Sequence, residues 1–196
     1  MSTVYRLSYP RHVKKAFDLF KLIRDKLNLI VWVVDARSPI LTCRYLFEFI
    51  ERINYRKNLV IFVNKMDLVK DFDYKQFRKY LSDFSKVRLP IIYGCYTNCK
   101  QLYDYLQRIA LRELFVNCLF VGLPNVGKSS VINCLVGRSK SEVSSKPGTT
   151  RNVKWINLSY NIRVLDSPGI VLPLEITKEE AQELINLGII NKSFII

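Results

Sequence analysis

Eight residues constrain this chain more than any others: Gly122-Leu-Pro-Asn-Val-Gly127-Lys128-Ser129. They follow a short β-rich run, Asn117–Val121, and open a helical stretch, Ser129–Val136. A loop of this composition between a strand and a helix curls backbone N–H groups around a phosphate and aims a helix N-terminus at it. Glycine lets the main chain come close, a lysine reaches the outer phosphates, and a hydroxyl serves magnesium. Lys128 and Ser129 supply the last two groups. Asn125, Val126, Gly127 and Ser130 complete the expected contact set.

A strand–loop–helix unit of this kind belongs in a mostly parallel sheet, and the rest of the chain agrees. Leu29–Val34, Leu59–Val63 and Leu89–Tyr93 are further strand-sized apolar runs. Between them lie amphipathic stretches at Lys14–Lys26, Tyr45–Ile53, Tyr74–Phe84 and Lys100–Leu114. Alternation of this sort predicts an α/β fold in three layers, a parallel sheet with helices on both faces. Val153–Leu158 and Ile162–Leu165 flank a turn and read as a hairpin, which brings the sheet to six strands with one antiparallel pair. The segment Thr177–Leu187 reads as a helix, with Thr177 as N-cap, Glu180 three residues later, and Gly188 as its stop. The expected division is residues 1–175 as the main domain and 176–196 as a short helical extension.

Ligands of such sheets bind beyond the carboxyl ends of the strands. Asn64-Lys65-Met66-Asp67 follows the strand Leu59–Val63. An aspartate there can accept two hydrogen bonds from the ring N–H and exocyclic amine of guanine, a pattern adenine does not offer. Asn64 can contact the other edge of the base, and the Lys65 stem can lie over its face. Together with the phosphate loop, this favours GTP and GDP over ATP. Asp166-Ser-Pro-Gly169 ends another strand and fits Asp-x-x-Gly. Asp166 is expected to hold magnesium through a water, and the Gly169 N–H to sense the terminal phosphate. Thr150, with Thr149 as the competing choice, is the candidate for a second magnesium hydroxyl. The expected metal set is Ser129, Thr150 and Asp166. The two segments are expected to order with GTP and loosen on hydrolysis.

The net charge of +14 says little about fold and points to a polyanionic partner, nucleic acid first. No apolar run approaches the ~20 residues of a membrane span, and no secretory leader is evident, so no membrane partner is expected. The five cysteines are odd in number and irregularly spaced, and read as small buried thiols in a reducing compartment.

The order of these motifs resembles a known family. Ordinary GTPases begin with the phosphate loop; here the base-reading motif comes first, then the phosphate loop, then Thr150 and Asp166-x-x-Gly169. This permutation resembles the YlqF/YawG family of circularly permuted GTPases. Asp35-Ala-Arg37-Ser-Pro39 is similar to that family's Asp-Ala-Arg-x-Pro signature. Tyr9-Pro-Arg-His12-Val-Lys-Lys-Ala16 is similar to the Phe-Pro-Gly-His-Met-x-Lys-Ala opening of its ribosome biogenesis GTPase A branch, which includes the mitochondrial ribosome-associated GTPase. Leu165-Asp-Ser-Pro-Gly-Ile-Val and Leu187-Gly-Ile-Ile-Asn also fit. The resemblance implies a P-loop fold of permuted topology and hydrolysis of GTP with magnesium. It also implies a role in maturing the large ribosomal subunit, with the subunit precursor and rRNA as partners; a cytoplasmic location is expected, with an organelle or the nucleolus left open. A monomer is favoured. Three departures stand out: Arg11 replaces the Gly of the opening motif, Gly94-Cys95 stands where a Ser-Ala loop usually meets the guanine carbonyl, and the sequence runs to Ile196 where relatives continue into a helical domain.

Residue 170 is Ile, where many GTPases place a water-orienting glutamine nearby. Low intrinsic turnover and activation by a partner are therefore expected. His12 is a candidate water-orienting group, with a solvent-facing or helix-capping histidine as the other reading. Lys128, Thr150 and Gly169 complete the expected catalytic set. Asn125 either helps ligate a stimulating potassium ion, as in similar loops, or only tightens the turn. Asp35 and Arg37 are expected to brace a loop rather than act chemically. The switch around Asp166 is expected to act on the Thr177–Leu187 helix that follows it.

Overall fold

The computed structural model describes residues 4–6, 11–84, 88–138, 154–169 and 175–195. Strand β2 (Leu29–Asp35) is buried along its whole length. Its run Leu-Ile-Val-Trp-Val-Val is apolar on both faces, as a central parallel strand must be. On one side β2 pairs in parallel with β3 (Asn58–Asn64), in a register that sets Asp35 opposite Asn64. On the other side it pairs in parallel with β5 (Val116–Val121). Beyond β3 lies β4 (Ile91–Tyr93), also parallel. Beyond β5 come β7 (Ile162–Asp166), parallel, and β6 (Lys154–Asn157), antiparallel to β7.

The six-stranded order is thus β4-β3-β2-β5-β7-β6. The chain leaves β2 toward β3 and β4, and leaves β5 toward β7. Between β2 and β5 the winding reverses, and the crevice beyond their carboxyl ends is where such sheets bind ligands. Asp35, Asn64, Gly94, Gly122 and Asp166 all sit at that edge, each at or just after its strand.

Helices α1 (Arg11–Ile23), α2 (Pro39–Cys43), α3 (Leu46–Ile53), α4 (Tyr74–Phe84), α5 (Lys100–Ala110), α6 (Lys128–Arg138) and α7 (Lys178–Asn186) surround the sheet. An aromatic cluster joins Phe17 and Phe20 of α1 to Phe49 of α3 and Trp32 of β2, with ring centroids 5.3 to 6.0 Å from Phe49. Helix α7 starts as its sequence suggests: the Thr177 hydroxyl accepts from the Glu180 N–H at 3.2 Å, and the Glu180 carboxylate accepts from the Thr177 N–H at 2.9 Å. Gly188 follows with φ of +67°.

Several boundaries differ from the sequence reading. β4 starts at Ile91 because Pro90 has no N–H for the ladder. α5 stops at Ala110, whose carbonyl accepts from Asn161 Nδ2 at 3.3 Å, and Leu111 and Leu114 stand 86% and 89% exposed. Helix α2, begun by Ser38-Pro39, was missed, though Pro at the first helical position was its signal. Also missed was a two-stranded antiparallel pair, β1 (Val4–Arg6) with β8 (Glu175–Thr177).

The cysteine reading needs one correction. Cys99, just before α5, and Cys134, on α6, form a disulfide. They are 35 residues apart in sequence, and only the fold brings their Cα atoms to 6.3 Å. Cys43, Cys95 and Cys118 are free and buried, as expected, and burial raises the pKa of the Cys43 and Cys118 thiols. Among the described residues, no helix is long and apolar enough to cross a membrane.

Candidate nucleotide site

The phosphate loop runs from the end of β5 to the start of α6, so its shape follows from two fixed ends. Asn125 takes a left-handed conformation, φ +57°, and Gly127 takes φ +95°. A Cβ on Gly127 would come 2.4 Å from Asn64 Nδ2, so glycine lets the loop lie against the base-reading segment. Asn64 Nδ2 donates to the Val126 carbonyl at 2.8 Å, leaving its second hydrogen for a base acceptor. Among the described residues nothing donates to the buried Asn64 Oδ1. Lys65, itself at φ +64°, donates from Nζ to the Asn125 carbonyl at 2.8 Å. Two motifs about sixty residues apart are therefore joined by two direct hydrogen bonds. Asp67 is exposed at the same edge, in the one-turn segment Met66–Leu68. The Gly94 carbonyl accepts from the Met66 N–H at 3.1 Å, which sets the Gly94-Cys95 loop beside Asp67. Cys95 is buried, and its sulfur lies 3.1 Å from the Thr97 hydroxyl.

Lys128 is buried, and Nζ donates to the carbonyls of Gly122 and Leu123 at 3.2 and 2.9 Å. Burial lowers its pKa to about 8, against the opposing pull of the Asp166 carboxylate. A buried ammonium that donates to two neutral carbonyls is a strong candidate partner for a phosphate. Beside it, the Ser129 hydroxyl donates to Asp166 Oδ2 at 2.8 Å. A hydroxyl and a carboxylate oxygen brought together at a helix start are the hard donors that magnesium takes, so these residues fit that ion. Gly169 packs on the phosphate loop itself: a Cβ there would lie 2.5 Å from Pro124 Cα. The Asp-x-x-Gly backbone thus abuts the loop with no room for a side chain.

Ser130 is exposed on the first turn of α6. Thr149, Thr150 and Ile170 lie outside the described residues. Of His12, only its backbone position in α1 is described.

The sequence reading did not foresee how Asp35 and Arg37 enter this network. The Asp35 side chain is 0% exposed and lies 2.7 Å from both Arg37 Nη2 and Lys65 Nζ. Burial by itself would raise its pKa, but the hydrogen bonds from Arg37 and Lys65 prevail and hold the carboxyl below its ordinary value. Only the register of β2 against β3 places Asp35 beside the base-reading segment, and register cannot be read from either motif alone. Also unforeseen are two bonds to the turn after α7: Arg37 Nη2 donates to the Leu187 carbonyl at 3.1 Å, and Asn125 Nδ2 to the Gly188 carbonyl at 2.7 Å.

Comparison with known proteins gives this geometry a family. Residues 117–193 match the family model described as 50S ribosome-binding GTPase. The ribosome biogenesis GTPase A of Thermotoga maritima is 32% identical over 180 residues, covering 92% of this chain and 64% of that protein. Over most of its own length the chain is thus similar to proteins named ribosome biogenesis GTPase A. The nuclear GTP-binding protein NUG1 of Saccharomyces cerevisiae is 31% identical over 192 residues, covering 87% of this chain and 37% of that protein. A solved structure titled as the GDP-bound form of TM YlqF superposes with a TM-score of 0.57 at 28% identity, covering 87% of this chain and 64% of that one. The chain therefore spans less than two thirds of the length of these relatives. The fold it shares with ribosome biogenesis GTPase A is the circularly permuted GTPase fold. The family match begins within β5 and ends just past Gly188, so it holds both the phosphate loop and the turn that Asn125 grips.

Proposed function

We propose that this chain binds GTP and GDP with magnesium, hydrolyses GTP, and serves as an assembly factor for the large ribosomal subunit. The observation that carries the reading is the pair of bonds from Asn64 and Lys65 to the Val126 and Asn125 carbonyls, at 2.8 Å each. They join a guanine-reading segment to a phosphate loop that comes later in the chain. In this reading Asp67 accepts from the guanine edge, and Gly94-Cys95 borders the base. The backbone around 125–130 and the Lys128 ammonium hold the phosphates. Ser129, Asp166 and Thr150 hold the magnesium ion, which adds positive charge at the phosphates. The Gly169 N–H meets the terminal phosphate, and His12 orients the attacking water.

The +14 charge and the names of the relatives support a ribosomal precursor and its rRNA as partners; in this reading the working form is a monomer in the cytoplasm. Potassium joins at Asn125 through the amide oxygen, whose nitrogen is already engaged by Gly188.

Calorimetric titration with GTP and ATP, followed by single-turnover hydrolysis with and without large subunits, tests the reading. GTP binding without ATP binding, and a rate raised by subunits, is the expected result. ATP binding as tight as GTP would refute it. Ile170 favours a second reading, a GTP-binding rRNA module with little intrinsic hydrolysis. A rate that stays near zero with subunits present would select it. An unchanged rate in His12→Ala would remove that residue from the mechanism. Equal rates in potassium and sodium would remove the ion.

A further inference from the structure

Two side chains that touch neither phosphate loop nor base join the nucleotide site to the end of α7. Asp35 stands at the carboxyl end of β2 as a fully buried carboxylate between two cations. Arg37 fastens to it through two side-chain bonds, Nε to Oδ1 at 2.9 Å and Nη2 to Oδ2 at 2.7 Å. Its backbone N–H adds a third bond to Oδ1 at 3.1 Å. A guanidinium gripped in this way has its remaining N–H directions fixed. One of them meets the Leu187 carbonyl at 3.1 Å. Lys65 completes the line, dividing its ammonium between Asp35 Oδ2 at 2.7 Å and the Asn125 carbonyl at 2.8 Å. The acceptors at the far end are the carbonyls of Leu187 and Gly188, adjacent residues where α7 ends. Helix carbonyls there lack partners within the helix and carry its negative end, so a cation suits them.

We propose that Asp35 and Arg37 are a positioning pair that couples base reading to the Leu187–Gly188 turn, a proposal that rests on the guanine-nucleotide reading above. A base lying on the Lys65 stem restricts that stem. Lys65 then holds Asp35 Oδ2, Asp35 orients the Arg37 fork, and the fork holds the carbonyl of Leu187. Linkage makes the coupling reciprocal: a turn held in place tightens nucleotide binding by the same factor. A pair that only braces the loop between β2 and α2 would stabilise the fold and transmit nothing.

The test reads hydrogen exchange at the Ile189 and Ile190 amides, which donate to the Leu184 carbonyl at 2.9 and 3.3 Å and close the turn. Exchange is measured with and without GDP in wild type, Arg37→Ala and Arg37→Gln, while calorimetry follows GDP binding separately. Arg37→Gln keeps most of the stem packing and guards against loss of the fold. In wild type, GDP should slow exchange at these amides by about fivefold, the lower range of ordinary couplings. Both variants should still bind GDP and keep less than half of that slowing. GDP binding to wild type with no slowing at 189–190 overturns the proposal and leaves the nucleotide reading intact. Equal slowing in wild type and both variants does the same. Failure of wild type to bind GDP overturns both.

Discussion

Replacing Asp35 with Asn tests how much of the fold depends on one buried charge. The change keeps shape and volume, so no cavity forms. It removes the anion that faces Arg37 and Lys65, and the amide nitrogen that takes the place of one oxygen donates toward cations that also donate. Breaking a buried ion pair from one side costs about 3–5 kcal/mol. The Arg37 and Lys65 side chains are 26% and 18% exposed, so water recovers part of that cost. An expected loss of about 2–4 kcal/mol remains. For a chain of this length, that lowers Tm by roughly 5–15 °C. Urea unfolding and calorimetry measure it, and Asp35→Asn combined with Lys65→Met in a double-mutant cycle isolates the pair. The pH dependence supplies an independent sign. The folded pKa of Asp35 lies below the ordinary 3.8, so its stabilisation is present above that pH and is lost as pH falls through the lower folded value. The gap between wild type and Asp35→Asn should therefore be full at neutral pH and close only under acid conditions below pH 3.8. A loss under about 1 kcal/mol, or a gap that closes near neutrality, would refute the reasoning.

Three other outcomes follow from the same geometry. With Lys128 titrating at about 8 against an ordinary 10.5, the nucleotide-free fold should gain stability as pH rises between those values, because the unfolded chain binds more protons there. GDP affinity, which uses the charged amine, should fall over the same interval by up to about tenfold per pH unit, and Lys128→Arg should flatten the profile; an unchanged wild-type profile in that variant counts against the assignment. Asp67→Ala should cut GTP affinity about a hundredfold while leaving ATP binding as weak as before, and equal losses for both nucleotides in paired titrations would show that Asp67 does not read the base. Opening the Cys99–Cys134 bond, which closes a loop of 35 residues, should lower stability by about 4 kcal/mol in the chain-entropy view; reductant should produce that drop in wild type and none in Cys134→Ser, and unfolding curves that ignore reductant would refute the bond's contribution.

What the sequence made legible is what its local chemistry dictates. The continuous apolar run Leu29–Val34 can only be a strand covered on both faces, and it lies at the centre of the sheet. The spacing of Thr177, Glu180 and Gly188 specifies a helix start and stop, and both hold. The six-stranded, mostly parallel sheet follows from the alternation of strands and helices. Pairings between distant segments were not legible. The bonds from Lys65 to Asp35 and from Arg37 to Leu187 depend on sheet register and on where α7 docks. They leave no mark on the spacing of either motif. The same reason hid the disulfide, the β1–β8 pair and the short strand at Val4–Arg6.

The permuted order also has a mechanical consequence. In this chain the base-reading strand β3 precedes the phosphate-loop strand β5, and β8 and α7 follow the Asp-x-x-Gly strand β7. Residues 175–177 return to pair with residues 4–6, and α7 then carries the chain back to the nucleotide edge. Its final turn is held by Asn125 of the phosphate loop and by Arg37 next to the base-reading segment. An ion pair, Arg44 to Glu180 at 2.7 Å, ties the start of α7 to the residue that caps the end of α2. Helix α7 is thus fixed at both ends to segments that follow β2 and β5, the strands on either side of the switch point. Among the described residues, both segments therefore meet the turn after α7 through direct hydrogen bonds.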